Sequence, residues 1–260
     1  MQLQVSLCMI EPKRDRHSPG GRLRWRYTTL WTHEQLTYLG HSAFLITTLA
    51  GDILIDPFLS GNPSASIGPD DVHPNYILMT HGHSDHLGDT IGITRRTRAT
   101  VIGPAELVTY LAGKGVSNVH PMHIGGNHVF PFGELFLTQA LHGSSVTENG
   151  HFINTGNPWG SVVKTGERTI YRAGDTGVFF DTELIGRLHP LDIALLPIGG
   201  NFTMGIDDAV EAVKMLAPHA AIPIHYGTFP VIAVDPQLLR NKVESSTSAR
   251  CAVLEPGQTR

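Results

Sequence analysis

Tyr76-Ile77-Leu78-Met79-Thr80-His81-Gly82-His83-Ser84-Asp85-His86 is the stretch whose reading decides the fold. Its first four residues form a short apolar run, the pattern of a strand buried on both faces. Three imidazoles and a carboxylate then fall within six residues, from His81 to His86. A lone histidine is usually a hydrogen-bonded side chain. Four coordinating groups held together without a ligand would instead repel and desolvate one another. Imidazole and carboxylate are the donors that suit a divalent ion, zinc above all, with manganese or iron compatible with the same mixture. A strand ending in a tight turn can present residues i and i+2 to one ion and residues i+4 and i+5 to a second beside it. Gly82 allows the sharp turn, and Ser84 is too small to crowd it.

Upstream, 36–38, 43–47 and 52–55 read as three short strands separated by turns at Gly40 and at Ala50-Gly51-Asp52. Asp56 closes the third, where it either caps a turn or lies beside the histidine cluster. His41, in a Gly-His-Ser turn, has the same two options. Residues 59–74, rich in Gly, Pro and Ser, read as a loop. Downstream, the pattern predicts one helix over 87–98, a strand at 100–102 and a helix over 104–112. Strands at 119–123, 129–130 and 134–140 come next. His120, His123 and His128 read as structural, whereas His142 ends a strand as the first cluster does.

Residues 144–159 read as a long polar binding loop, with Ser144, Asn157 and Trp159 as candidates for substrate contact. A hairpin around Gly166 leads to Ala173-Gly174-Asp175-Thr176-Gly177, then to a helix over 179–188 and a strand at 193–197. The loop 198–205 contributes Asn201 and Met204 as further substrate-loop candidates. A helix over 209–216 is expected to be capped by Asp207 or Asp208. His225 then ends a strand at 221–225, before a helix at 236–244 and an edge strand at 251–254. Strand and helix alternate, which argues for α/β layering.

Composition agrees. Hydrophobic residues make up 41 % and charged residues 16 %, with 28 glycines and 17 prolines, as in a turn-rich soluble α/β protein. Cys8 and Cys251 stand at opposite ends in no metal-type spacing, so no disulfide framework is expected. No apolar run approaches the ~20 residues that span a bilayer. The first ten residues lack the basic start of a signal peptide. These features predict a cytoplasmic protein with no membrane partner. Residues 1–33 hold six basic side chains (Lys13, Arg14, Arg16, Arg22, Arg24, Arg26) against Glu11 and Asp15, a balance of +4. With a net charge of −4 overall, the rest of the chain carries −8. The N-terminal basic extension 1–33 is expected to be solvated and disordered, and 34–260 to form the working domain. An acidic body is a poor match for a phosphate backbone, so no nucleic-acid partner is expected. A homo-oligomer is compatible with all of this.

His-x-His-x-Asp-His resembles the signature of the metallo-β-lactamase superfamily. Tyr38-Leu39-Gly40-His41-Ser42, Leu54-Ile55-Asp56-Pro57-Phe58, Pro121-Met122-His123-Ile124-Gly125-Gly126 and the run from Leu196 to Gly205 narrow the likeness. Together they resemble the small bacterial and archaeal metal-dependent hydrolases within that superfamily. The resemblance covers residue 35 to the C-terminus. It implies an α/β (α+β) fold, a four-layer αββα sandwich whose halves divide near residues 120–130. It also implies two divalent metal ions: one held by His81, His83 and His142, the other by Asp85, His86 and His225, with Asp175 between them. Asp56, and by position His41, would orient ligands from behind.

Such a site implies a hydrolase in which a hydroxide activated by two ions attacks a small ester-like substrate, of the lactone or phosphodiester class. Asp175, Asp85 and His225 are its catalytic candidates, and its partner is a small-molecule substrate. Three readings compete. A nuclease of the type with a domain inserted between the His142-like and Asp175-like ligands has no room in the 32 residues between them here. A diiron flavoprotein would carry glutamate at His83, although a mono-iron dioxygenase stays open. A non-catalytic metal-binding or interaction module would be favoured by a missing ligand, and none is missing.

Overall fold

The computed structural model of the chain describes residues 34–260, so the expectation of a disordered extension lies outside the described residues. Strands β1 (Gln35–Gly40), β2 (Ala43–Thr48), β3 (Gly51–Ile55) and β4 (Tyr76–Leu78) come first. Helices α1 (Ser84–Leu87) and α2 (Thr90–Thr97) are next, then β5 (Thr100–Pro104), α3 (Ala105–Gly113) and β6 (Val119–Met122). These six strands form one sheet in sequential order, antiparallel from β1 to β3 and parallel from β3 to β6.

The second half comprises β7 (Asn127–Phe130), β8 (Gly133–Gln139), the hairpin β9 (Ser145–Glu148) and β10 (His151–Asn154), β11 (Trp159–Lys164) and β12 (Thr169–Arg172). It continues through α4 (Asp181–Leu188), β13 (Ile193–Pro197), α5 (Ile206–Leu216), β14 (Ala220–Ile224), α6 (Pro236–Ser246) and β15 (Arg250–Cys251). Its seven-stranded sheet runs β15-β14-β13-β12-β11-β8-β7, again antiparallel at one side and parallel at the other. The two halves divide between Met122 and Asn127, inside the expected window.

Side-chain parity explains the layering. Ile53 and Ile55 face the partner sheet with Phe44, Leu195 and Ile222, while Leu54 between them faces Ile77 and the helices α2 and α3. In the second sheet Ile170 and Leu195 point inward, and Tyr171, Ala194 and Leu196 meet α4, α5 and α6. Both faces of each central strand are therefore buried, which is why these strands read as unbroken apolar runs. The result is the αββα sandwich. Among the described residues, no helix is long and apolar enough to cross a membrane.

Four local expectations are corrected. The helix expected over 87–98 is broken at Gly88, whose φ of +42° and approach to the Pro57 carbonyl require a glycine. Residues 144–159 are not one loop but carry the hairpin β9–β10, turned at Asn149-Gly150. The N-cap of α5 is Gly205, with Asp207 and Asp208 in the first turn, where acidic side chains favour the helix dipole. The closing strand is only Arg250–Cys251.

Candidate metal centre

Every residue of the centre leaves the carboxyl end of a strand, the edge at which open α/β sheets bind ligands. Thr80 to His83 follow β4 and turn directly into α1, so Asp85 and His86 project from that short helix. His142 follows β8, Asp175 follows β12 and His225 follows β14. Glycine is required at two of these exits. A Cβ on Gly82 would collide with Thr155 Oγ1, and one on Gly174 (φ +69°) would lie 2.5 Å from the Trp159 carbonyl. His41, Asp56 and His225 have φ of +56°, +41° and +54°, left-handed backbone that non-glycine residues adopt at a cost of ~1–3 kcal/mol. Three of them at one edge mark it as functional.

His81, His83 and His142 bring one ring nitrogen each together: His81 Nε2 and His83 Nδ1 are 3.0 Å apart, and His142 Nε2 is 3.3 Å from the latter. His41, Asp85, His86 and His225 make a second group. Asp175 Oδ2 joins the two, lying 3.7 Å from His142 Nε2, 3.3 Å from His86 Nε2 and 2.9 Å from His225 Nε2. His41 Nε2 reaches Asp85 Oδ2 at 3.2 Å, while Thr228 Oγ1 lies 2.8 Å from its Nδ1.

The two groups differ electrostatically. Burial lowers His81 well below the ordinary imidazole value, and lowers His83 and His142 as well. Burial also opposes charge on His86 and His225, but Asp175 (joined by Asp56 at His86) outweighs it and raises them to about 10 and about 9. For Asp175, burial is overcome by His86 and His225, and its carboxyl is held well below the usual range. Asp85 is held low in the same way by hydrogen bonds with His225 and His41.

The donor set fits a metal. His86 Nε2 and Asp175 Oδ1 are buried without a hydrogen-bond partner among the described residues, and both belong to the cluster. His81 Nε2 and His142 Nε2 both lie within 3.3 Å of His83 Nδ1, a convergence of three imidazole nitrogens that suits a cation.

The cleft over the centre is a cavity of about 190 Å³ lined by His83, Asp85, His142, Asp175, His225 and Phe202. Phe202, not singled out from sequence, lines this cleft and is 54 % exposed. The other candidates from sequence are placed differently. Met204 is a buried core residue that anchors the loop, and Asn201 is exposed but does not line the cleft. Ser144 is buried; its hydroxyl accepts from Gly82 N and pairs with Thr155 Oγ1, which ties down the loop that carries His81 and His83. Trp159 is also buried, its indole N–H donated to the Met79 carbonyl. With Asn157 and His123 it lines a separate cavity of about 430 Å³ that shares no residue with the centre. His120 and His128 lie 4.5 Å apart, ring to ring, away from the cluster.

Sandwich and cluster together define a metal-dependent hydrolase, and similarity to known proteins agrees. Residues 52–226 match the family model described as the beta-lactamase superfamily domain. The UPF0173 metal-dependent hydrolase of Desulforamulus reducens is 52 % identical over 227 residues, 86 % of this chain and 98 % of that protein. UPF0173 metal-dependent hydrolase MK1542 of Methanopyrus kandleri is 46 % identical, with the same coverage. The structure of Igni18, a metallo hydrolase from Ignicoccus hospitalis, superposes with a TM-score of 0.80 at 36 % identity, covering 87 % of this chain and 97 % of that one. The chain belongs to the UPF0173 metal-dependent hydrolase family.

Proposed function

We propose that the chain hydrolyses a small ester-like substrate, of the lactone or phosphodiester class, at a centre for two divalent ions, with zinc the best match to the imidazole-rich donors. The observation that supports it most is Asp175 Oδ2, which faces both donor groups at once. His81, His83 and His142 would hold one ion, and Asp85, His86 and His225 the other, with Asp175 shared. Bound there, the ions would supply Lewis acidity and make a cleft water a nucleophile near neutral pH.

The chain's own groups do the rest. In the metal-free chain His225 Nε2 lies 2.9 Å and His86 Nε2 3.3 Å from Asp175 Oδ2, so the carboxylate is already aimed at the groups that would share it. Asp85 is 25 % exposed where Asp175 is 2 %. Asp85 is thus the more solvent-facing of the two carboxylates, and both stay ionised. The water oxygen bonds to the carbonyl carbon or phosphorus, the bond to the leaving oxygen breaks, and the water's proton passes to that oxygen through the solvent of the cleft. Phe202 covers the apolar part of the substrate and displaces water.

Proton release from a panel of lactones, thioesters, β-lactams and phosphodiesters tests this, using metal-reconstituted protein with Asp175→Ala as the blank. Turnover of one bond type that vanishes in the blank is expected. Silence across the panel from protein holding two ions would count against this substrate class.

A further inference from the structure

Behind the ligands lies a connected layer of polar groups, of which Asp56 alone stood out in the sequence. Asp56 is fully buried, and its carboxylate accepts four hydrogen bonds: Thr80 N at 2.8 Å, Thr80 Oγ1 at 2.6 Å, His86 Nδ1 at 2.7 Å and Arg172 Nη2 at 2.5 Å. Thr80 Oγ1 is also 2.9 Å from His81 Nδ1.

Counting protons fixes the direction of each bond. A carboxylate only accepts, so His86 Nδ1 carries a hydrogen, which leaves Nε2 as the nitrogen that faces Asp175 and an ion. The Thr80 hydroxyl has one proton, and the shorter contact gives it to Asp56. Thr80 Oγ1 must then accept from His81 Nδ1–H, which leaves His81 Nε2 as a bare lone pair toward His83. One carboxylate thereby sets the tautomer of an imidazole in each half of the centre.

Arg172 is what keeps that carboxylate charged and in place. It projects from β12 on the opposite sheet, is fully buried, and gives Nη2 to Asp56 and to the Ser42 carbonyl. Its Nε and Nη1 find no partner among the described residues. An aliphatic side chain at this inward position, two residues after Ile170, would join the surrounding core without those unmet donors. The guanidinium is therefore not explained by packing.

We propose that Arg172, Asp56 and Thr80 form one tautomer-setting chain that positions His86 directly and His81 through the Thr80 hydroxyl. Arg172 and Thr80 are positioning residues, and the assignment to two ion sites rests on the function proposed above. The tautomer of His81 does not rest on it, because it is read in metal-free protein.

The test pairs Thr80→Val with Thr80→Ser. Long-range ¹H–¹⁵N correlation of the metal-free chain should show His81 as the Nδ1–H tautomer in wild type and Thr80→Ser, and lose that preference in Thr80→Val. Competitive Zn²⁺ titration should show one of two ions bound ~10-fold or more weakly in Thr80→Val, restored by serine, as expected for loss of a ligand's orienting partner. Arg172→Met should weaken both ions; if it fails to fold, the threonine pair still decides. Thr80→Val with an unchanged His81 tautomer and two unchanged affinities would overturn the proposal. A wild-type chain that binds no Zn²⁺ but shows the Thr80-dependent tautomer would remove the two-ion reading and keep the chain.

Discussion

His86 and His225 govern the pH behaviour of the centre. Raised to about 10 and about 9, both hold an extra proton at neutral pH in the metal-free chain, whereas His81, His83 and His142 are lowered and neutral. An ion entering the His86 and His225 half must displace those protons, and one entering the other half need not. Raising the pH from 7 toward 9 should therefore strengthen binding in the first case, by up to about tenfold per unit for each proton released. Calorimetric zinc titrations in buffers of different ionisation enthalpy should show this release, and a buffer-independent heat would contradict it. The same raised values stabilise the metal-free chain fully below the unfolded imidazole value of ~6.5. That stability is lost as pH rises through the folded values of about 9 to about 10, so thermal melts of metal-free protein should show a lower Tm above that window. Residue chemistry was legible at His81 to His86 because ligands within one turn reveal themselves by spacing. Arg172 was not, since 116 positions separate it from Asp56 and only the folded sandwich brings them together.

At the scale of elements, the break between α1 and α2 fixes the segment that follows β3. Asp89, just past Gly88, accepts from Leu59 N and Ser60 N and ties the 57–60 segment beside α1. A Cβ on Gly88 would collide with the Pro57 carbonyl oxygen, in a left-handed backbone. Gly88→Ala is thus predicted to cost about 3 kcal/mol or more, measured by urea unfolding of the metal-free chain. Helical periodicity ran straight through this glycine in the sequence, which is why one helix was expected. The β9–β10 hairpin was readable in principle. Asn149-Gly150 is a strong hairpin signal, and both residues take the positive φ (+51° and +76°) that such a turn demands. The polarity of its flanks hid it. The runs at 53–55, 76–79 and 193–197 were plain because strands buried on both faces leave no room for polar residues.

Across the whole molecule, the two halves are held together by the chain's end as well as by the core. The C-terminal tail runs along β1: Leu36 N and Tyr38 N donate to the Arg260 and Gln258 carbonyls, and Arg260 N and Gly257 N return bonds to Leu36 and Tyr38. Removing residues 256–260 would forfeit the four backbone hydrogen bonds to β1, for a predicted loss of about 2–6 kcal/mol, seen as a lower Tm. The central claim, however, is that one shared carboxylate unites two ion sites, and metal content per chain tests it most directly. Elemental analysis of zinc-reconstituted wild-type protein should find two ions, and Asp175→Ala should retain neither at stoichiometric level. One ion or none in wild type, or two in the variant, would contradict the account.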